Sequence, residues 1–555
     1  MLDARPAADV TAIIPAAGLG TRLMPISSSI PKAMVPVGGQ PLISRAINHL
    51  ARQGVHRIVI VIGRHGDQLR GYVEHVYRQS SLEISFAEQA TLDGPLGALR
   101  VAQPQAGDGP QLVYLGDTLT RDPLRFDRDF VLAYPVEDHW RWCLALPDER
   151  GNLVRLIDKP ARLEACPTDL ALIGVYYFAD GSLLRDAIEE TYAAGETLHG
   201  EYQLSSAIER YRRLRPIEVR PADEWFDCGS IDRYIETRRR LIESRNFNTI
   251  HVDDLGVLHK ESASAEDLGN EIGWYLSVPA AVHPLVPRVF GHSITPERVS
   301  LSLEYFPVPA LSELYLYASV HPEVWEYALG RILDLWWRTF HATRGRDEAQ
   351  AAKTLAMYWA KTERRLAQSA QQTELPEGEV RLNGRLLPAW PDLRGRLRAA
   401  VEEVAARPHW SLVHGDFHFG NILFDFNSGQ VKLVDPRGSF GGPGCYGDAR
   451  YDLAKLLHSF HGGYAHLAGG MFELRRTGGD AFELCYFGGA DREHLLGCFK
   501  AWLAQHEVSF AEIELIEGLL FLSLLPLHAE DRERQLAAYL IGRQLVAEAL
   551  EVLET

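Results

Sequence analysis

A chain of 555 residues with 57 Lys and Arg against 74 Asp and Glu carries a formal charge of −17, which excludes the broad basic face of a general nucleic-acid binder and leaves only local basic pockets. Its length implies two to four domains, and 46% apolar with 24% charged residues is globular usage rather than wholesale disorder. Six cysteines without a CxxC pair, no basic leader ahead of an apolar core and no apolar run near about 18 residues set three expectations: a soluble cytoplasmic protein, a reducing compartment, and neither membrane insertion nor structural zinc.

In chain order, Thr11–Pro15, Arg57–Ile62, Leu112–Leu115 and Ile173–Phe178 are short apolar, β-branched runs of the kind that form buried strands. Between the first two, Leu42, Ile43, Ala46, Ile47 and Leu50 recur at helical spacing, with Gly54 as a stop. Strand, helix, strand predicts a parallel sheet with right-handed crossovers. Tyr234–Asn248 reads as an amphipathic helix fading into a polar connector, so a domain boundary is expected there, dividing 1–245 from 246–555. Short strands follow at Gly256–His259 and Val299–Tyr305. The remainder is predicted mostly helical, with long periodic stretches at Trp325–Thr343 and Glu512–Glu551 and a loop over Ala367–Val380.

The first chemistry lies where the opening strand runs into Ala16-Ala17-Gly18-Leu19-Gly20-Thr21-Arg22, with Lys32 following. Glycines let backbone N–H groups close on phosphate oxygens, and Arg22 and Lys32 add charge. The order is neither the GxGxxG of a dinucleotide turn nor the GK[ST] of a P-loop. This segment resembles the nucleoside-triphosphate transferase family that makes NDP-sugars and related activated alcohols, whose signature is GxGTR followed by PK. Gly94-Pro95-Leu96-Gly97, Leu115-Gly116-Asp117, Asp158-Lys159-Pro160, Ile173-Gly174, Glu201-Tyr202-Gln203-Leu204 and Trp225-Phe226-Asp227-Cys228-Gly229 continue the resemblance over about residues 10 to 240.

The resemblance implies that Ala17, Gly18, Gly20 and Thr21 wrap a triphosphate whose charge Arg22 and Lys32 neutralise. Asp117 and Asp227 would hold Mg²⁺, and Gly94 and Gly97 would face the base. Lys159 would meet the acceptor phosphate, with Gly174 and Glu201 at the acceptor. The reaction implied is in-line attack of a phosphomonoester on the α-phosphate of an NTP, releasing pyrophosphate.

The second chemistry is His414-Gly415-Asp416, Asn421 five residues after Asp416, and Asp435 fourteen after Asn421. Two apolar runs split by Asn427-Ser428-Gly429 predict a hairpin that brings the later carboxylate back. One carboxylate beside an acceptor hydroxyl, with an amide and a second carboxylate on the metal, is the kinase template. HGDxxxxN resembles the aminoglycoside phosphotransferase and choline kinase family, over about residues 250 to 550. That implies Asp416 as base, Asn421 and Asp435 on Mg²⁺, and His414 as scaffold. Asp452 would open a helix that braces the loop. Lys260 would reach the ATP phosphates with Glu271 as its partner, and Glu304, Tyr305 and Phe306 would form the hinge at adenine. Only Gly256 stands where a glycine-rich loop would precede Lys260. Arg437 would contact an anionic acceptor or pair with a neighbouring carboxylate. His418, His458 and His461, like His414, are expected as supporting or core residues rather than metal ligands.

Together these imply an α/β chain: a Rossmann-like parallel or mixed sheet, then a bilobal protein-kinase-like α+β domain. The activity implied is phosphorylation by ATP of a small hydroxyl- or amide-bearing metabolite, then transfer of a nucleotidyl group from CTP or UTP to that phosphate. The product would be an NDP-activated sugar, polyol or alcohol for surface polysaccharide. Two other readings stand beside it: a choline kinase joined to a phosphocholine cytidylyltransferase, and a nucleotidyltransferase carrying a non-catalytic kinase-like sensor. No nucleic-acid partner is implied, and oligomerisation is left open.

Overall fold

The computed structural model describes residues 7–554 apart from 25, 29, 64–65, 162–165, 199, 243–247, 263–264, 296–297, 372 and 427. The chain divides into two compact units, residues 1–241 and 242–555.

In the first unit, β1 (Thr11–Pro15), β2 (Arg57–Ile62), β3 (Glu83–Glu88) and β4 (Gln111–Tyr114) run parallel, in the order β4-β1-β2-β3. Ala12, Ile13 and Ile14 are buried because both faces of this layer are covered. The crossover helix Leu42–Arg52 buries the five predicted apolar positions and ends before Gly54, whose φ of +82° only glycine adopts freely. Beyond β4 the sheet turns mixed. β5 (Phe130–Pro135) and β4 both pair antiparallel with β6 (Leu170–Phe178), while β7 (Glu218–Pro221) pairs parallel with β5. The parallel reading therefore holds for four strands and reverses at β6. The predicted helix after Tyr234 is Ile231–Arg240; most of its polar continuation, 243–247, lies outside the described residues.

In the second unit, β8 (Asn248–Val252), β9 (Val257–Ser262), β10 (Val289–Ile294) and β11 (Val299–Glu304) form an antiparallel sheet in the order β8-β9-β11-β10, with α1 (Ala265–Ser277) following β9. The β8–β9 turn is built by Asp253, whose carboxylate accepts from the N–H groups of Leu255 at 3.0 Å and Val257 at 2.8 Å. Further helices are α2 (Lys361–Ala370), α3 (Ala449–His458), α4 (Phe510–Leu524) and α5 (Arg532–Leu553).

Three helical expectations are corrected. Glu512–Glu551 is two helices, because Pro526, with no N–H to donate back into α4, opens the short 3₁₀ turn Leu525–His528, and Asp531 caps α5 by accepting from Arg534 N–H at 3.0 Å. These helices cross at glycine, where a Cβ on Gly518 would lie 3.1 Å from the Gly542 carbonyl. The helix through Trp325 ends at Trp336, and Trp337–His341 widens into a π turn. The region read as mostly helical also holds a four-stranded sheet of Val380–Leu382, Arg385–Leu387, Phe472–Gly478 and Ala481–Tyr486. Its polar, exposed edges hide the period-2 signal. Within 367–380, α2 continues to Ala370 before the chain becomes irregular. No helix among the described residues is long and apolar enough to cross a membrane.

The anchor of α3 is Arg450, buried and bonded to Asp448 at 2.6 Å and Glu512 at 2.8 Å. Arg450→Met leaves the buried Asp448 carboxylate unpaired and should cost about 3–5 kcal/mol, read from urea denaturation of the full chain. A change under about 1 kcal/mol would show that this network does not hold α3.

Candidate active sites

The first site collects at the carboxyl ends of β1 and β4, where parallel sheets present loops to ligands. Gly63 and Gly116, beyond the ends of β2 and β4, admit the backbone that leaves β1: a Cβ on either would stand 2.8 Å from the carbonyl of Ala17 or Pro15 respectively. Ala17 is nearly buried, whereas Gly18, Thr21 and Arg22 face solvent. Gly20 takes φ +65°, and Ser27 Oγ donates to its carbonyl at 2.6 Å. A Cβ there would press on the Cβ atoms of Lys32 and Ser27 at 3.1 Å, so the loop lies against Lys32.

The Lys32 ammonium donates to Asp117 Oδ2 as an ion pair. Asp227 is brought alongside by the ladder of Phe226–Asp227 on Thr118–Leu119, in which Asp227 faces Thr118. Trp225 Nε1 donates to Thr118 Oγ1 at 2.8 Å and Thr118 Oγ1 donates to the Ile173 carbonyl at 2.6 Å, locking that ladder to β6. Cys228 N–H donates to the Asp117 carbonyl at 2.8 Å, and Gly229 N–H to Asp227 Oδ1 at 3.0 Å. A Cβ on Gly229 would sit 3.0 Å from Asp227 Oδ1 and 3.5 Å from Asp117 Oδ2, so the two carboxylates flank one small space. Burial pushes Asp117 up, but the charge and hydrogen bond of Lys32 and the charge of Arg22 hold it below its usual range. Burial and the Asp117 charge push Asp227 up to about 6. Two facing carboxylates, one reluctant to ionise, are a donor set that fits a hard divalent cation.

The other predicted residues of this unit form separate groups. Gly94, at φ +113°, opens the helix Pro95–Ala106, and its Cβ would lie 2.6 Å from the Tyr202 carbonyl and 3.0 Å from Glu201 Cβ. Gly97 is a packing position, since a Cβ would overlap the Asp93 carboxylate. Gly174 makes a bulge in β6 against Leu115. Lys159 ends the strand Leu153–Asp158 with a left-handed φ of +43° and an exposed side chain. Among the described residues, no hydrogen bond or ion pair joins Lys159 or Glu201 to the carboxylate pair. Motif reading missed Arg233, which pairs with Asp138 at 2.7 Å and lines a cavity of about 350 Å³ bordered by Asp227 and Trp225. Its only sequence signal is its place one turn past Gly229.

In the second unit, Lys260 of β9 donates to Glu271 Oε1 of α1 at 2.7 Å and to Asp435. Burial alone would lower Lys260; the Asp435 and Glu271 charges outweigh it and hold the ammonium protonated. Asp435 has a left-handed φ of +56°, and Gly438 after it would drive a Cβ into the Asn270 carbonyl at 1.9 Å, so this loop abuts α1. Asn421 Nδ2 donates to both the carbonyl and Oδ2 of Asp416 at 3.0 Å, which turns its Oδ1 away from that carboxylate. Val434 N–H donates to the Asn421 carbonyl at 3.0 Å, tying the return of the hairpin Ile422–Asp425 and Gln430–Leu433 to the loop. Residue 427 of that turn lies outside the described residues; Gly429 there takes φ +65°.

Asp416 also pairs with Lys455 of α3 at 2.8 Å and His418 at 3.4 Å; these charges outweigh burial and hold it well below its usual range. Asp452 accepts from the N–H groups of His414 and Gly415, both at 2.8 Å, and from Trp336 Nε1 at 3.1 Å. The histidines serve the loop and core: His414 Nδ1 accepts from Asp416 N–H and His418 Nδ1 from Gly420 N–H, while His458 meets the Lys455 carbonyl and His461 meets Glu517. At the end of β11, Glu304 accepts from Arg288 N–H at 3.3 Å, and the Lys432 ammonium lies 4.6 Å from the Phe306 ring centroid. Arg437 donates to Tyr451 Oη at 3.4 Å and, among the described residues, to no carboxylate.

Residues 11–244 match the nucleotidyl transferase family and residues 240–482 the phosphotransferase enzyme family, which makes the chain a transferase with one match in each half. It is similar to the low-salt glycan biosynthesis nucleotidyltransferase Agl11 of Haloferax volcanii, 28% identical over 41% of this chain and 65% of that protein's length. It is also 28% identical to a UTP–glucose-1-phosphate uridylyltransferase of Pseudomonas aeruginosa, over 42% of this chain and 95% of the relative. Among solved structures, a UDP-glucose pyrophosphorylase from Acinetobacter baumannii matches at 22% identity and a TM-score of 0.35, covering 41% of this chain and 91% of that one.

Proposed function

We propose that the second domain phosphorylates a small hydroxyl- or amide-bearing metabolite with ATP, and that the first transfers a nucleotidyl group from UTP or CTP to the phosphate so made. The observation that carries the kinase half is the joint set Lys260–Glu271–Asp435 and Asp416–Asn421–Lys455, closed by direct contacts in one unit. A sensor module would need none of these pairings. In this reading Asp416 receives the acceptor proton as oxygen bonds to the γ-phosphorus and ADP leaves. Lys260 holds ATP phosphates, Glu304 and Phe306 border adenine, and Arg437 faces the acceptor.

In the first domain, Ala17, Gly18, Gly20 and Thr21 supply the loop, Gly94 and Gly97 the base side, and Lys159, Gly174 and Glu201 the acceptor side. Arg22 and Lys32 offset charge while a phosphomonoester oxygen bonds to the α-phosphorus and pyrophosphate departs. Asp117 with Asp227, and Asn421 with Asp435, would hold Mg²⁺, which supplies charge neutralisation on the phosphates. The uridylyltransferase name of the Pseudomonas relative supports UTP, and the glycan role named for Agl11 supports an activated sugar for surface polysaccharide.

The test is pyrophosphate release by the full-length protein with Mg²⁺ and ATP, scanning UTP, CTP, GTP and dTTP against unphosphorylated sugars, polyols and alcohols. ATP-dependent release with one acceptor and one NTP establishes the coupled reaction; release only from pre-phosphorylated acceptors removes the kinase step. Lys260→Ala should cut ADP formation by at least about 10²-fold, and a rate within a few-fold of wild type would withdraw this lysine from the ATP site.

A further inference from the structure

Beside Asp416 lies a cavity of about 380 Å³, within the range of small-ligand pockets, and Lys361, Arg365, Arg437, Lys455 and Tyr451 help line it. Lys455 is committed to Asp416 at 2.8 Å. The other three cations have only neutral partners. Lys361, buried, donates to Tyr451 Oη at 3.3 Å; Arg365 donates to the Ser523 carbonyl at 2.8 Å; Arg437 donates to Tyr451 Oη at 3.4 Å and keeps a buried Nε without a partner. Among the described residues none of the three has a carboxylate within ion-pair distance, although the chain carries 17 excess negative charges. Elsewhere in the same unit Lys260 is matched by Glu271 and Asp435 and Arg450 by Asp448 and Glu512, whereas buried Arg543 is met by the carbonyls of Pro376, Gly378 and Pro388 and lines no part of this cavity.

Burying the unmatched Lys361 costs the fold, and the half-buried Arg365 adds to that cost as a like charge four residues on along α2. Burial, with the charges of Arg437, Arg365 and Lys455, holds Lys361 well below the usual lysine range. A bound anion reverses every one of these penalties, and guanidinium pairs suit carboxylate and phosphate oxygens. Lys260, Glu304 and Phe306 do not line the cavity; Asp416, Glu271 and Asp267 do, three carboxylates against the four cations, and of these Asp416 is taken by Lys455 and Glu271 by Lys260.

We propose, on the kinase reading above, that the acceptor is itself an anion: a small hydroxy compound whose carboxylate or phosphate docks on Lys361, Arg365 and Arg437 while its hydroxyl faces Asp416. Cationic acceptors such as choline or amino sugars are then disfavoured by the same charges.

The test titrates the full-length protein at low salt with glucuronate, glucose 6-phosphate, glucose and glucosamine, and follows ADP formation with each. An anionic sugar should bind at least about 10-fold more tightly than glucose or glucosamine. Arg365→Ala and Lys361→Met should each erase that preference while ATP affinity stays within about two-fold, and Lys361→Met should raise the melting temperature because an unmatched buried charge is gone. Preference for glucuronate or for the phosphate ester separates the two anion sources. Equal or better binding of glucose or glucosamine, no binding by either anion, or loss of ATP affinity in the variants overturns the proposal. Asp416-dependent ADP formation on neutral sugars alone would keep the kinase reading and reject this one, whereas anion binding without ADP formation on any acceptor would keep the pocket and reject the kinase.

Discussion

Asp416→Asn should lower ATP-dependent phosphorylation by about 10²–10⁴-fold, the range lost with a general base, while pyrophosphate release from a supplied sugar phosphate stays within about two-fold. The physical reason is local. Asp416 is held ionised by Lys455 and His418 and oriented by Asn421, all within the second unit, whereas the Lys32–Asp117–Asp227 group belongs to the first. Because Asp416 is depressed, the stability it contributes is present above the ordinary carboxylate range and is lost as pH falls through its lower folded value. Circular dichroism at pH 7 should show the variant folded, although Lys455 loses its partner. Loss of both activities in a folded variant would rule out independent sites.

Asp227→Asn should remove pyrophosphate release, with a drop of at least about 10³-fold if this carboxylate holds the metal, and should make the protein more resistant to heat at pH 7. The second effect follows from its position. Burial and the Asp117 charge raise Asp227 to about 6, so between about pH 4 and that value the folded chain binds more protons than the unfolded one. Stability from this group therefore falls as pH rises through the window, and the deficit, roughly 3 kcal/mol, is fully present above it. Asparagine removes the charge that causes it. Mg²⁺ should raise the melting temperature of the wild type more at pH 7.5 than at pH 5, and this increment should disappear in the variant. An Asp227→Asn protein that melts lower than wild type, with its Mg²⁺ response intact, would mean that Asp227 is a structural carboxylate and not half of a cation site.

Features written in adjacent residues are legible in the sequence. Ile13 to Arg22 declares a buried strand ending in a glycine loop because β-branched runs and left-handed glycines are local choices, and Gly20 does take a positive φ. His414 to Asn421 is similarly compact, and its internal bonds span five residues or fewer. Other features depend on which distant segments packing brings together. The antiparallel entry of β6 and the small sheet among the helices follow from strand pairing that single-segment periodicity does not encode, whereas the break before α5 is written locally in Pro526 and Asp531. The charge of the acceptor cavity is the clearest case. No motif holds Lys361 or Arg365, and nothing near them in the chain marks Lys361 as buried or Arg365 as half-buried. Only the packing of α2 with the 435–437 loop, α3 and α4 puts them beside Arg437 and Asp416, where the low polarisability of the interior turns three unremarkable cations into an anion site.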